Sequence, residues 1–381
     1  MSAKARLQAA LTKGMAEAGL PGLAAAARLP GGEVVELAVG VRGVDTSAPM
    51  TADTLFWIAS CTKALTATAA MLAVEDGLVG LDDPVSRWLP ALAAPKVLTG
   101  FDDAGGPTLT AATKPITLRR LLSHTSGFGY AFTSQALDRY ATATGQTQMS
   151  AEAPDFPLLF EPGEGWVYGI GIDWAGALIE AVTGETLDVY LQRRVFDPLG
   201  MADTGFFPNA DDRARTASMH ARLPDGALAP IPFAMPPTHY FSMGGGGLYS
   251  TVGDYLKFMS SILGAGPSIL QPDSLAALCG VEHEGPDVGA LRSAQAHMSN
   301  DFDPFPGAAK AWGLGFVSNP EPGPHGRGAG SLAWAGLGNC YYWIDRDSGA
   351  AGIMCAQLLP FADPGALAAF AGFERAVYAS A

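Results

Sequence analysis

The chain has 381 residues, 48% of them hydrophobic and 16% charged, with a formal net charge of −14. That balance suits a compact fold with one large core or two lobes and excludes extended disorder, while the negative field disfavours nucleic acid, polyphosphate and anionic membrane as partners. Cys61, Cys279, Cys340 and Cys355 show no Cys-x-x-Cys spacing, so zinc is not expected. No apolar run reaches the ~18 residues of a membrane span, and the charged N-terminal stretch lacks an export signal, so a soluble cytoplasmic protein is expected.

Residues 3–18 have the periodicity of an amphipathic helix, stopped by Gly19 and Pro21. Residues 22–29 and 33–41 are β-type runs split by Pro30-Gly31-Gly32, a hairpin by its turn chemistry. A short strand over 54–57 leads into an Ala/Leu/Thr/Met run, 64–74, that reads as a buried helix closed by Gly77. A helical turn is expected at 85–89, and residues 96–114, rich in Gly, Thr and Pro, read as a surface excursion. Thr117 caps a short helix ending in His124-Thr125-Ser126-Gly127-Phe128. Residues 133–142 suggest another helix and 145–157 a loop. Glu161-Pro162-Gly163 opens a rigid turn carrying Trp166 and Tyr168, followed by helices over 173–182 and 186–194. Residues 197–235 look irregular. Gly244–Gly247 is a glycine run, read as a close backbone approach in a strand bend rather than a phosphate loop, since no Lys-Ser/Thr follows. After a helix over 251–263, strands are expected at 312–317, 331–335, 340–345 and 351–357, then a terminal helix begun by Asp363-Pro364. This order implies one antiparallel sheet built from both ends of the chain, with a helical lobe inserted between. The boundaries are residues 1–58 with 242–381 for the sheet domain and 59–241 for the helical one.

Chemistry concentrates at Phe56-Trp57-Ile58-Ala59-Ser60-Cys61-Thr62-Lys63. If Ser60 opens the helix, Lys63 shares its face one turn on and can reach the hydroxyl, and the free first-turn N–H groups favour negative charge there. Ser-x-x-Lys is a nucleophile arrangement for acyl transfer. The same spacing also describes a capping serine beside a solvated lysine. Other hydrolytic signatures are missing: there is no Gly-x-Ser-x-Gly and no His-Glu-x-x-His, and the histidines do not cluster.

Five elements in order carry a resemblance over nearly the whole chain. They are Ser60-Cys61-Thr62-Lys63, Leu121–Gly127, Tyr168 after Glu161-Pro162-Gly163, Gly244–Ser250, and Trp334-Ala335-Gly336-Leu337. Together they resemble the class C β-lactamase-like serine hydrolases, more narrowly the family VIII carboxylesterases. The run from Trp334 to Pro360 also resembles the fungal statin side-chain acyltransferases. The resemblance implies an α+β, β-lactamase/transpeptidase-like fold: an antiparallel sheet flanked by helices plus the inserted, mainly helical lobe. It further implies that Ser60 is the nucleophile, that Lys63 helps deprotonate it, and that Tyr168 relays the proton. The N–H groups of Ser60 and Leu337 would form the oxyanion hole. Trp334 and Gly336 would line the substrate site, with Phe128 and Tyr130 either lining it or simply packing.

Two departures bear on the substrate. Tyr168-Gly169-Ile170 lacks the family's Asn, and Trp334-Ala335-Gly336 lacks the Lys that pairs a substrate carboxylate. An indole supplies apolar wall instead. The expected protein is therefore a cofactor-free, metal-free serine carboxylesterase acting on small or medium apolar acyl esters. Rivals are an acyltransferase on the same site, a β-lactamase or D-alanyl-D-alanine peptidase, and a catalytically silent binding protein. Its partner is a small-molecule ester, and its oligomeric state is not legible. Arg327 is one loop arginine that could still approach the site.

Overall fold

The computed structural model describes residues 2–146, 148, 156–233, 243–280 and 288–380. After helix α1 (Ala3–Ala18), the chain folds back through Pro30-Gly31-Gly32 as β1 (Gly22–Arg28) and β2 (Val34–Gly40), with Gly22 opposite Gly40. The small apolar residues of β1 are buried on both faces, which fits an inner strand. β2 alternates exposed and buried residues, as an edge strand does. Five further strands complete the sheet: β3 (Ala311–Trp312), β4 (Val317–Asn319), β5 (Ser331–Gly336), β6 (Cys340–Asp345) and β7 (Ala350–Cys355). All seven are antiparallel, in the order β2-β1-β7-β6-β5-β4-β3. The first and last parts of the chain therefore meet at β1 and β7, where Ala24 faces Cys355.

Helices seal both faces. Helix α2 (Thr62–Glu75) follows the proposed nucleophile, α3 (Gly171–Thr183) packs on it, α4 (Val252–Ile262) lies against β1 and β7, and α5 (Pro364–Tyr378) pairs with α1. Strand β6 shows the division: Trp343 meets Phe370 and Phe373 of α5, while its neighbour Tyr342 meets Tyr255 of α4, ring centroids 5.1 Å apart. Helix α2 is buried nearly all round, as an Ala-rich helix without a polar face must be. Its threonines stay satisfied inside: Thr66 Oγ1 donates to the Gly244 carbonyl and Thr68 Oγ1 to that of Ala64.

Four expectations change. Ser60 does not open α2; it sits in a 3-10 turn, Ala59–Cys61, and the α-helix starts at Thr62. Residues 96–114 are no plain excursion but a hairpin, Lys96–Phe101 with Pro107–Ala111, turned by Asp102, whose carboxylate accepts the N–H groups of Ala104 and Gly106. Residues 312–317 do not form one strand. Gly313-Leu314-Gly315 turns the chain so that Trp312 pairs with Val317. The stretch from 197 also holds order, with a capped helix Ala210–Ala214 and strands His220–Arg222 and Leu228–Pro230. The boundary at 242 and the end of the expected irregular stretch at 235 lie outside the described residues, as do parts of the 145–157 loop. Among the described residues, no helix is long and apolar enough to cross a membrane.

Candidate active site

Ser60 stands at a conformationally unusual point. Ala59 before it has φ +45°, a left-handed conformation that L-residues with a Cβ adopt at a cost of about 1–3 kcal/mol and that recurs at functional sites. Strand β5 presses on the same turn: a Cβ at Gly336 would lie 2.2 Å from the Ile58 carbonyl oxygen. Gly336 therefore works by having no side chain, letting β5 abut the Ser60 turn, and, against the expectation that it lines the substrate site, it is not among the residues around the Ser60 cavity. Among the described residues, the N–H groups of Ser60 and Leu337 find no acceptor. Both residues open onto one cavity of about 700 Å³.

Lys63 is fully buried, and its ammonium has three acceptors: Ser60 Oγ at 3.1 Å, Tyr130 Oη at 3.0 Å and the Gly245 carbonyl at 2.6 Å. Three donors meet three neutral acceptors. Behind them sits Asp173 of α3, 1% exposed. One carboxylate oxygen accepts the Gly245 N–H at 2.8 Å and the other the Tyr130 hydroxyl at 3.4 Å. Burial pushes the Asp173 carboxyl up from its ordinary range, with Lys63 opposing the shift. Burial, then the neighbouring Asp173, pushes the Tyr130 phenol well above its usual value.

Tyr168 approaches Lys63 by its face, with the ring centroid 4.8 Å from Nζ. Its hydroxyl accepts a 3.0 Å hydrogen bond from Trp334 Nε1. Trp334 in turn stands edge-on to Trp312, centroids 4.5 Å apart. His124 packs under this cluster against Tyr168 and Trp312, and burial, then Lys63, holds its imidazole well below the usual range. Its Nδ1 takes the Gly169 N–H, whereas Nε2 is buried without a partner among the described residues.

Ser60, Lys63, Tyr130 and Leu337 are thus brought together, while Tyr168 meets Lys63 by its ring face, turns its hydroxyl to Trp334 and does not line the Ser60 cavity. Two further expected wall residues are not on the Ser60 cavity. Phe128 is buried and stacked on Trp174, held in the core by α3. Trp334, 5% exposed, borders a different cavity of about 390 Å³ between β5, α5 and the segments around Phe302 and Pro322. Arg327 belongs to that second cavity too, bound to Glu374 by two 2.7 Å contacts, so it brings no cation to Ser60. Asp173 and Gly245 were not singled out as site residues from sequence. An aspartate in the first turn of an apolar helix is ordinary, and only its complete burial marks it.

The β-lactamase family model matches residues 7–376. A lovastatin esterase of Penicillium rubens is 35% identical over 326 residues, 81% of either chain. A monacolin J acid methylbutanoyltransferase of Aspergillus terreus is 36% identical, covering 87% of this chain and 83% of its own. Unliganded simvastatin synthase from Aspergillus terreus superposes with a TM-score of 0.85 at 31% identity, over 100% of this chain and 98% of that one.

Proposed function

The chain belongs to the β-lactamase family, and we propose that it is a serine carboxylesterase that cleaves neutral esters with small or medium apolar acyl groups through an acyl-enzyme on Ser60. The observation that carries this reading is the seating of Lys63 Nζ between Ser60 Oγ, Tyr130 Oη and the Gly245 carbonyl. To act as base, Lys63 must first give up one of its ammonium protons; the amine so formed takes the Ser60 proton while Oγ adds to the ester carbonyl. The N–H groups of Ser60 and Leu337 receive the oxyanion, each such donor being worth about 2.7–4 kcal/mol of barrier. Tyr168, its hydroxyl held by Trp334 Nε1, gives its phenolic proton to the departing alkoxide and is reprotonated from the Lys63 ammonium beside it, so the serine proton ends on the released alcohol. Water then attacks the acyl-enzyme by the reverse route, releasing the acid and restoring Ser60.

Substrate class follows from charge. Among the described residues lining the Ser60 cavity, Asp138 is the one charged side chain. A substrate carboxylate would leave water without a cation to pair it, at a cost of several kcal/mol. Trp57, Phe132, Met243, Met298 and Leu337 offer apolar wall instead, favouring an acyl chain by about 25 cal/mol per Å² buried. The acyltransferase relatives favour a second reading, in which an alcohol rather than water accepts the acyl group. The test is a side-by-side kcat/KM for p-nitrophenyl butyrate and nitrocefin at one pH, with and without an alcohol acceptor, on wild type and Ser60→Ala. The ester is expected to lead by ~10³ or more, about 4 kcal/mol, and Ser60→Ala to be inert. Comparable values for the two substrates would return the enzyme to the β-lactamases. Ester product dominating over acid would make it an acyltransferase.

A further inference from the structure

We propose that Asp173 is a positioning residue of this site, the single carboxylate that holds both the Tyr130 hydroxyl and the Gly245 peptide where they grip Lys63. The inference rests on the Ser60 reading above and adds a residue to it. The geometry is a closed ring. Lys63 Nζ donates to Tyr130 Oη and to the Gly245 carbonyl; Tyr130 O–H and Gly245 N–H both end on Asp173. Glycine is required at 245, since a Cβ there would lie 2.2 Å from Asp173 Oδ2. The glycine run is thus shaped around this carboxylate.

The arrangement places an anion one group away from Lys63 rather than against it. A direct ion pair would fix the proton on the lysine. Routing the charge through a phenol and a peptide leaves Lys63 its neutral acceptors and keeps Ser60 in reach. The ionisable groups facing the cluster are Cys61 and Lys63 from the nucleophile turn and α2, His124, Tyr130, Tyr168, and Asp173 itself. Asp173 is the carboxylate within the ring; Asp138 lines the Ser60 cavity as well, its Oδ1 accepting from Gln295 Nε2.

The experiment measures the rate of Ser60 labelling by a fluorophosphonate from pH 5 to 9 in wild type, Asp173→Asn and Tyr130→Phe, beside thermal melts. This readout needs no knowledge of the natural ester. Asp173→Asn is expected to slow labelling about tenfold or more and, because the anion favouring the protonated cluster is gone, to move the acid limb down by about one pH unit. Tyr130→Phe, which cuts one arm of the ring, is expected to slow labelling by a similar factor, and Asp173→Asn in that background adds less than it does alone. A purely structural Asp173 would lower the melting temperature without moving the limb. A folded Asp173→Asn that labels within about threefold of wild type, with an unmoved limb, overturns the proposal. Should that variant not fold, wild-type labelling in Tyr130→Phe overturns it equally. Absence of labelling in wild type would sink the Ser60 reading itself, and this inference with it.

Discussion

Lys63 and Arg327 are both buried cations, at 0% and 5% exposure, and each stands beside a cavity. Arg327 meets Glu374 directly, Nε and one terminal nitrogen each 2.7 Å from a carboxylate oxygen, with Phe305 and Trp343 near its plane. Lys63 meets only a serine hydroxyl, a phenol and a peptide carbonyl, with its carboxylate one group further back. A bidentate guanidinium cannot give up its proton, so the first arrangement serves to tie α5 to the segment around Gly328. The second leaves Lys63 in hydrogen-bond contact with the Ser60 hydroxyl, the contact on which the proposed proton transfer depends. Burial alone marks neither as functional; what distinguishes them is whether the counter-charge touches the cation.

The sharpest way to break that comparison is to make Lys63 resemble Arg327. Lys63→Ala is expected to lower kcat for p-nitrophenyl esters by about 10² to 10⁴. Lys63→Arg should not rescue it, because the replacement stays protonated. Recovery of a tenth of wild-type activity by Lys63→Arg would show that charge rather than proton transfer is what Ser60 needs. Turning to the other cation, Glu374→Ala leaves Arg327 buried and unpaired, at an expected cost of about 3–5 kcal/mol in chemical denaturation. Replacing the pair together, Arg327→Met with Glu374→Leu, should come within about 1 kcal/mol of wild type or better, and kcat per folded molecule should hold throughout. An activity loss in the folded double variant would mean that the second cavity communicates with Tyr168 through Trp334.

The smallest effect concerns His124, the buried group beside both Lys63 and Tyr168. Its folded-state pKa lies well below the ordinary 6.5, so the folded chain refuses a proton that the unfolded chain accepts. Its contribution is therefore complete above about pH 6.5 and is lost as the pH falls below that, with a slope of at most about 1.4 kcal/mol per unit. His124→Asn, a side chain that tolerates the φ of +59° found there, should remove about 1 kcal/mol of the stability difference between pH 7.5 and 5.5. An unchanged difference would place the acid sensitivity elsewhere.

The same contrast explains what the sequence disclosed. Local signals survived: the Pro30-Gly31-Gly32 turn, the Asp363-Pro364 helix start, and Ser60 with Lys63 three residues on all read directly. The antiparallel sheet joining both ends of the chain was legible because its strands are short apolar runs between turn residues. What depends on three dimensions was not. Trp334 was expected to wall the substrate site, yet its position on β5 turns the indole N–H toward Tyr168 and its flank toward another cavity. Tyr130 could not be told from a packing residue, since nothing local shows that its hydroxyl meets Lys63. Asp173 was invisible for the same reason. The 96–114 hairpin was missed because its Thr and Gly residues are as common in coil as in an exposed two-stranded ribbon.

The pairing of β1 with β7 bears on when the molecule becomes an enzyme. The turn that carries Ser60 is braced by β6, where Cys61 and Cys340 are in contact across 279 residues of sequence. A ribosome adding roughly 5–20 residues per second needs on the order of 15–55 s to bridge that interval. Throughout it, the nascent chain carries α2 and the serine but neither Leu337 nor the sheet against which the serine turn is set. One donor of the proposed oxyanion hole, the Ser60 N–H, emerges early, whereas its partner at Leu337 comes late, so on the proposed reading the capacity to acylate waits for β5 and β6 to close on the serine turn.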